Sequence, residues 1–133
     1  MRSETVTTVL EAPKDDVFEY LSKIENLPDW ATEFARELRW EDGEAVVVNG
    51  LGELVFRIEA DPETGVIDML AGPSTDALAL FPTRVVSLPG DQSAFTFTMF
   101  QGPEMPDELF ESQHASLQRE FQNIETRFAR PSA

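Results

Sequence analysis

Residues 38–58 read LRWEDGEAVVVNGLGELVFRI, and the alternation within this stretch decides the fold. Leu38 and Trp40 alternate with Arg39 and Glu41, and then comes Asp42-Gly43, a dipeptide suited to a two-residue hairpin turn because both residues tolerate positive φ. Ala45 to Val48 resume a strand, Asn49-Gly50 and Gly52 turn the chain again, and Leu54, Phe56 and Ile58 alternate with Val55, Arg57 and Glu59. Centring the first turn on Asp42-Gly43 pairs Trp40 with Ala45 and Leu38 with Val47. A tight second turn sets Val47 opposite Leu54 and Ala45 opposite Phe56. The next turn, Asp61-Pro62-Glu63-Thr64-Gly65, is expected to place Phe56 opposite Met69, Ile58 opposite Ile67 and Arg57 opposite Asp68. These turns, taken independently, put Leu38, Trp40, Val47, Leu54, Phe56, Ile58, Ile67 and Met69 on one face. A one-residue slip would send the whole set to the other side. Arg57 and Asp68 fall together on the opposite face, where they read as a solvated cross-strand ion pair rather than as catalytic groups.

Outward from this stretch the pattern continues. Upstream, Thr5 to Leu10 is rich in β-branched residues and reads as a strand. Pro13 opens a short amphipathic helix to about Ser22, with Asp15 and Asp16 at the positive end of its dipole. Asn26 is placed to cap a second short helix running through Trp30 to about Glu33. Downstream, Val66 to Leu70 and a longer run from about Leu78 to Leu88 read as strands, and Pro89-Gly90-Asp91 turns the chain into a last strand, Ala94 to Phe100. Asp107 then opens a long helix through Phe128 with Phe110, Leu117, Phe121, Ile124 and Phe128 on one stripe. Arg130-Pro131-Ser132-Ala133 reads as a frayed tail. The order is strand, two short helices, six strands in successive hairpins and one long helix. Successive hairpins make an antiparallel sheet with one face to cover, and the last helix is the element long enough to cover it, so the fold class is α+β.

Composition narrows the function. A chain of 133 residues, 41% hydrophobic, supports one core and one domain over residues 1–133. Zero cysteines exclude disulfides, thiolate nucleophiles and Cys-ligated metals. Ten basic residues against twenty-five acidic give a net charge of −15, a field that repels phosphate backbones and anionic headgroups. Nucleic acid is therefore not an expected partner, nor is membrane insertion, because no apolar run reaches the roughly 18 residues of a membrane helix. The absence of an apolar leader at Met1-Arg2-Ser3-Glu4 points to a cytoplasmic location. A single histidine and no spaced acidic loop leave no metal site, and no cofactor motif is present: Gly50-Leu51-Gly52 lies in a hairpin, and no Gly-x-Ser-x-Gly elbow occurs.

The chain resembles the START-like (SRPBCC) superfamily, nearest its polyketide cyclase/dehydrase branch. The residues that carry the resemblance are Val9-Leu10-Glu11-Ala12-Pro13 leading into Val17-Phe18-Glu19-Tyr20-Leu21, then Asn26-Leu27-Pro28-Asp29-Trp30, Gly65-Val66-Ile67-Asp68 and Phe81-Pro82-Thr83-Arg84-Val85-Val86. The resemblance implies a helix-grip fold, in which a seven-stranded curved antiparallel sheet wraps a long C-terminal helix and leaves a hydrophobic cavity between them. It does not imply one chemistry, since the superfamily spans lipid carriers, receptors, aromatase/cyclases and chaperone activators.

Strand and helix arithmetic then name candidate residues. With the last turn at Pro89–Gln92, Arg84 opposes Phe97 and points to the apolar side, where its guanidinium needs a carboxylate, carbonyls, water or a ligand. On the long helix, His114 falls about 60° from Leu117 and Gln113 about 40° to the other side. His114 is either a hydrogen-bonded packing residue or a proton shuttle. Phe34, Trp40, Phe56, Met69, Phe97, Met99, Leu117 and Phe121 are expected to wall the cavity. Arg84, Gln113 and His114 would orient a ligand, and Trp30 would belong to a lid. The leading expectation is a monomer or homodimer that binds a hydrophobic or amphipathic small molecule such as a lipid or polyketide. One alternative is a cyclase or dehydratase using His114 as base and Arg84 to stabilise an enolate. The other is an interaction module of the chaperone-activator kind, binding a basic partner through its acidic exterior.

Overall fold

A computed structural model describes residues 1–129, and the expected frayed tail at 130–133 lies outside them. The chain runs β1 (Ser3–Leu10), α1 (Lys14–Leu21), a 3₁₀ turn (Ile24–Asn26) leading directly into α2 (Leu27–Trp30), β2 (Glu37–Glu41), β3 (Glu44–Asn49), β4 (Gly52–Asp61), β5 (Val66–Gly72), β6 (Ala79–Phe81), β7 (Thr83–Leu88), β8 (Gln92–Phe100) and α3 (Asp107–Arg127). The strands form one antiparallel sheet in the order β1-β8-β7-β5-β4-β3-β2, with β6 beside β5 off that path. The architecture is α+β and helix-grip. The seven expected strands become eight because Pro82, which has no N–H to donate, splits the run from Leu78 to Leu88 into β6 and β7. Among the described residues no helix is long and apolar enough to cross a membrane.

The central turns have the geometry their residues dictate. Asp42 and Gly43 both take positive φ, 51° and 80°, and close the Glu41–Glu44 pair. Trp40 lies opposite Ala45, Leu38 opposite Val47, Val47 opposite Leu54 and Ala45 opposite Phe56. The β4–β5 register differs from the expected one by two residues, since β4 runs on to Asp61, which pairs with Val66. Phe56 therefore faces Ala71, and Ile58 faces Met69. A shift of two preserves parity, so the inward set survives while the Arg57–Asp68 pair does not. Arg57 instead grips Glu44 across the β3–β4 ladder, with N–O distances of 2.6 and 3.1 Å.

The last hairpin is shorter than expected by one residue, and that changes more. Leu88 pairs directly with Gln92 across the three-residue loop Pro89-Gly90-Asp91, in which Gly90 and Asp91 both take positive φ. Phe97 consequently faces Thr83 and not Arg84. Strand β7 turns its other side inward: Thr83 and Val85 are buried, and the Thr83 hydroxyl donates to the Ile67 carbonyl. Arg84 lies on the exposed outer surface, where its Nε donates to the Thr64 carbonyl at 3.2 Å.

The core sits between the inner sheet face and α3. Phe121 is its hub, stacked on Phe95 at 5.3 Å between centroids and edge-on to Trp30 and Phe97 at 6.5 and 6.4 Å. Helix α3 packs on β1 and α2, and α1 packs on β7 and β8. Beyond the reach of α3, at the β2 edge, Trp40 shares the inward parity yet is 55% exposed.

Candidate functional site

The segment that follows α2 is irregular, but it is tied down along its length. Asn123 Nδ2 donates to the Trp30 carbonyl, and Asn49 Nδ2 donates to that of Phe34. Ala35 N–H reaches Ala31 O, and Arg36 N–H reaches Val48 O. The backbone N–H groups of Glu33 and Phe34 both donate to Glu120 Oε2, each at 3.0 Å. Residues 30–36 therefore form a fixed wall held against the C-terminal half of α3 through Glu120 and Asn123.

Between that wall, α3 and the sheet lies an open cavity of about 650 Å³. Its floor is apolar: Phe56 from β4, Met69 and Ala71 from β5, Phe81 from β6, and Phe97 and Met99 from β8. Trp30 and Phe34 close one side, and Phe34 leans on Phe56 at 5.8 Å. The β3–β4 turn, with Leu51 74% exposed, and Arg36 stand at the mouth. Helix α3 contributes Leu109, Gln113, Ser116, Leu117 and Glu120.

Of the residues expected to meet a ligand, Trp30, Phe34, Phe56, Met69, Phe97, Met99, Gln113 and Leu117 line this cavity. Trp40, Arg84, His114 and Phe121 do not. Trp40 sits past the end of the helix cover, and Phe121 is packed behind the wall at 1% exposure. Arg84 was turned outward by the shorter hairpin. His114 is excluded by the handedness of the helix. Relative to Leu117, the cavity-facing residues Gln113, Glu120 and Ser116 lie about 40°, 60° and 100° to one side, and His114 lies about 60° to the other. The two candidates for cyclase chemistry therefore do not converge on one point of the cavity.

The residue that the sequence reading missed is Glu120, only 3% exposed. It lies one heptad after Gln113, on the same helical shoulder, and that spacing is the signal that could have found it. Burial pushes its carboxyl above the ordinary carboxylate value, and the Phe34 and Glu33 N–H groups pull the other way. Its neighbour Glu33 behaves oppositely. Arg119 clamps Glu33 through two N–O contacts of 2.6 and 2.9 Å, Ser116 adds a third bond, and the Glu33 carboxyl is held low. Among the described residues no three His, Asp or Glu side chains cluster in a way that would hold a metal ion.

No family model matches this sequence, and no curated protein matches it. Solved structures do match in shape. XoxI from Bacillus cereus superposes with a TM-score of 0.75 at 16% identity, over 96% of each chain. The Zhui aromatase/cyclase from Streptomyces sp. R1128 gives 0.65 at 20% identity, over 94% of this chain and 89% of that one. A START superfamily protein from Mycobacterium smegmatis gives 0.65 at 15%, over 95% and 96%. The fold is the one these solved structures share, an antiparallel sheet wrapped around a long C-terminal helix.

Proposed function

We propose that this protein binds a hydrophobic or amphipathic small molecule in the cavity between the sheet and α3. The observation that carries the reading is the cavity itself: about 650 Å³, within the roughly 300–1,000 Å³ of small-molecule sites, with aromatic and aliphatic walls and few polar groups. Trp30, Phe34, Phe56, Met69, Phe97, Met99 and Leu117 supply apolar contact, while polar groups, Gln113 and Glu120 with Glu33, Arg36, Ser116 and Arg119, border the cavity along the 33–36 segment and α3. That a fold neighbour is an aromatase/cyclase and another a START superfamily protein supports ligands of the polyketide or lipid kind. His114 and Arg84, on which a cyclase reading rested, are not among the residues that line the cavity, which supports binding over that alternative. A thermal-shift screen with lipids, quinones, flavonoids and polyketides, followed by native mass spectrometry of the hits, tests it. Stabilisation by one chemical class with one molecule bound per chain is the expected result, and no stabilisation by any class would overturn it.

A further inference from the structure

Glu120 is the one charged side chain among the buried residues described, and the fold uses only half of it. Its Oε2 accepts both backbone bonds, from Glu33 and Phe34. Its Oε1 makes no hydrogen bond and no ion pair among the described residues. Yet no described side-chain oxygen or nitrogen is sealed away without a partner. Oε1 therefore opens onto free space, and the space that Glu120 borders is the cavity. Holding the 33–34 backbone does not require a carboxylate, because a glutamine carbonyl could accept the same two N–H groups without the cost of burying a charge. The surplus is one acceptor oxygen on the polar side of the cavity, facing the aromatic and aliphatic floor, with no cation paired to it: Arg119, the adjacent one, is committed to Glu33.

Resting on the binding function proposed above, we infer that the ligand carries a hydroxyl group, phenolic, enolic or alcoholic, that donates to Glu120 Oε1 while its apolar body fills the floor over Phe56, Met69 and Phe97. An O–H donor suits this site because a hydrogen bond to an ionised acceptor is about twice as strong as a neutral one. A ligand presenting an ether or carbonyl at that point leaves the carboxylate buried and unpaired.

The test uses 2-naphthol and 2-methoxynaphthalene, which share an aromatic body and differ in the donor. Each is titrated into the native protein and into Glu120→Gln, with calorimetry as the readout and tryptophan fluorescence in a Trp40→Phe background as a check. The native protein is expected to prefer the naphthol by about tenfold or more, the factor a hydrogen bond to a charged acceptor supplies. Glu120→Gln is expected to bind the methoxy compound at least as well as the native protein does, since the unpaired carboxylate is gone, and to lose most of the preference. The preference in the native protein needs no variant, so it decides the matter even if Glu120→Gln folds poorly. Equal affinity for both compounds in the native protein, or a preference unchanged in a folded Glu120→Gln, overturns the hydroxyl assignment and leaves the binding function standing. Failure of both compounds to bind at all counts against the cavity as a ligand site, and the assignment falls with it.

Discussion

Replacing Phe121 with alanine separates the packed core from the cavity wall, because the two positions predict different costs. The ring is 1% exposed and touches three other aromatic rings, Phe95, Trp30 and Phe97, at centroid distances of 5.3, 6.5 and 6.4 Å. Truncating a buried phenylalanine costs about 3–5 kcal/mol through lost transfer energy and the void left behind. Each aromatic pair adds about 0.5–1.5 kcal/mol beyond burial, which places Phe121→Ala at the upper end of that range. Leu117→Ala, on the cavity wall, already has empty space on one side and should cost about 2 kcal/mol, at the low end for its type. Equilibrium urea unfolding followed by circular dichroism and tryptophan fluorescence measures both. With a slope of about 2 kcal/mol/M, Phe121→Ala should lower the midpoint by roughly 2.5 M and Leu117→Ala by roughly 1 M. Equal losses for the two variants, or a loss below about 1 kcal/mol for Phe121→Ala, would refute the placement of Phe121 behind the wall.

The remaining predictions concern charge and backbone. Burial raises the folded-state carboxyl of Glu120 above its ordinary value of 4.5, so the stability it contributes is full below that value and is lost as pH rises through the folded one. Glu120→Gln should therefore gain on the native protein as pH rises from about 4 to neutrality, and urea midpoints that keep a constant difference across that range would contradict this. Gly65 takes φ +82°, and a Cβ there would lie 2.0 Å from the Val85 carbonyl oxygen. Gly65→Ala should cost about 2–4 kcal/mol by thermal unfolding, and an unchanged Tm would disprove the close approach of the chain to β7. Arg84→Ala removes only an exposed bond to a carbonyl. It should alter stability by no more than about 0.5 kcal/mol and leave ligand binding unchanged, so a binding defect would show that β7 faces the other way.

The fold could be read from turns whose residues leave little choice. Asp42-Gly43 determines both the length and the handedness of its hairpin, so the β2–β3 register follows residue by residue, and the tight Asn49–Gly52 turn does the same for β3–β4. Asp61 to Gly65 could close at more than one length, and the two-residue difference there passed without consequence because side chains repeat every second residue. The Pro89-Gly90-Asp91 loop offered the same freedom with an odd difference, and that misassigned Arg84. The stripe on α3 located the core, but a stripe has two shoulders, and which of them meets the cavity depends on where α2 and the 30–36 segment pack. Hence Gln113 lines the cavity while His114 does not. Glu120 was hidden for a related reason: what makes a buried carboxylate tolerable there is a pair of N–H groups more than eighty residues away in the chain.

The β7–β8 connection turns a matter of counting into one of chemistry. Its residues do not line the cavity, yet adding one residue between Leu88 and Gln92 would roll β7 over. A guanidinium would then stand where a threonine now closes its bond to Ile67. Substitutions at Pro89 should be forgiven more readily than insertions beside it, which makes this exposed bend a length gauge for the chamber on the far side of the sheet.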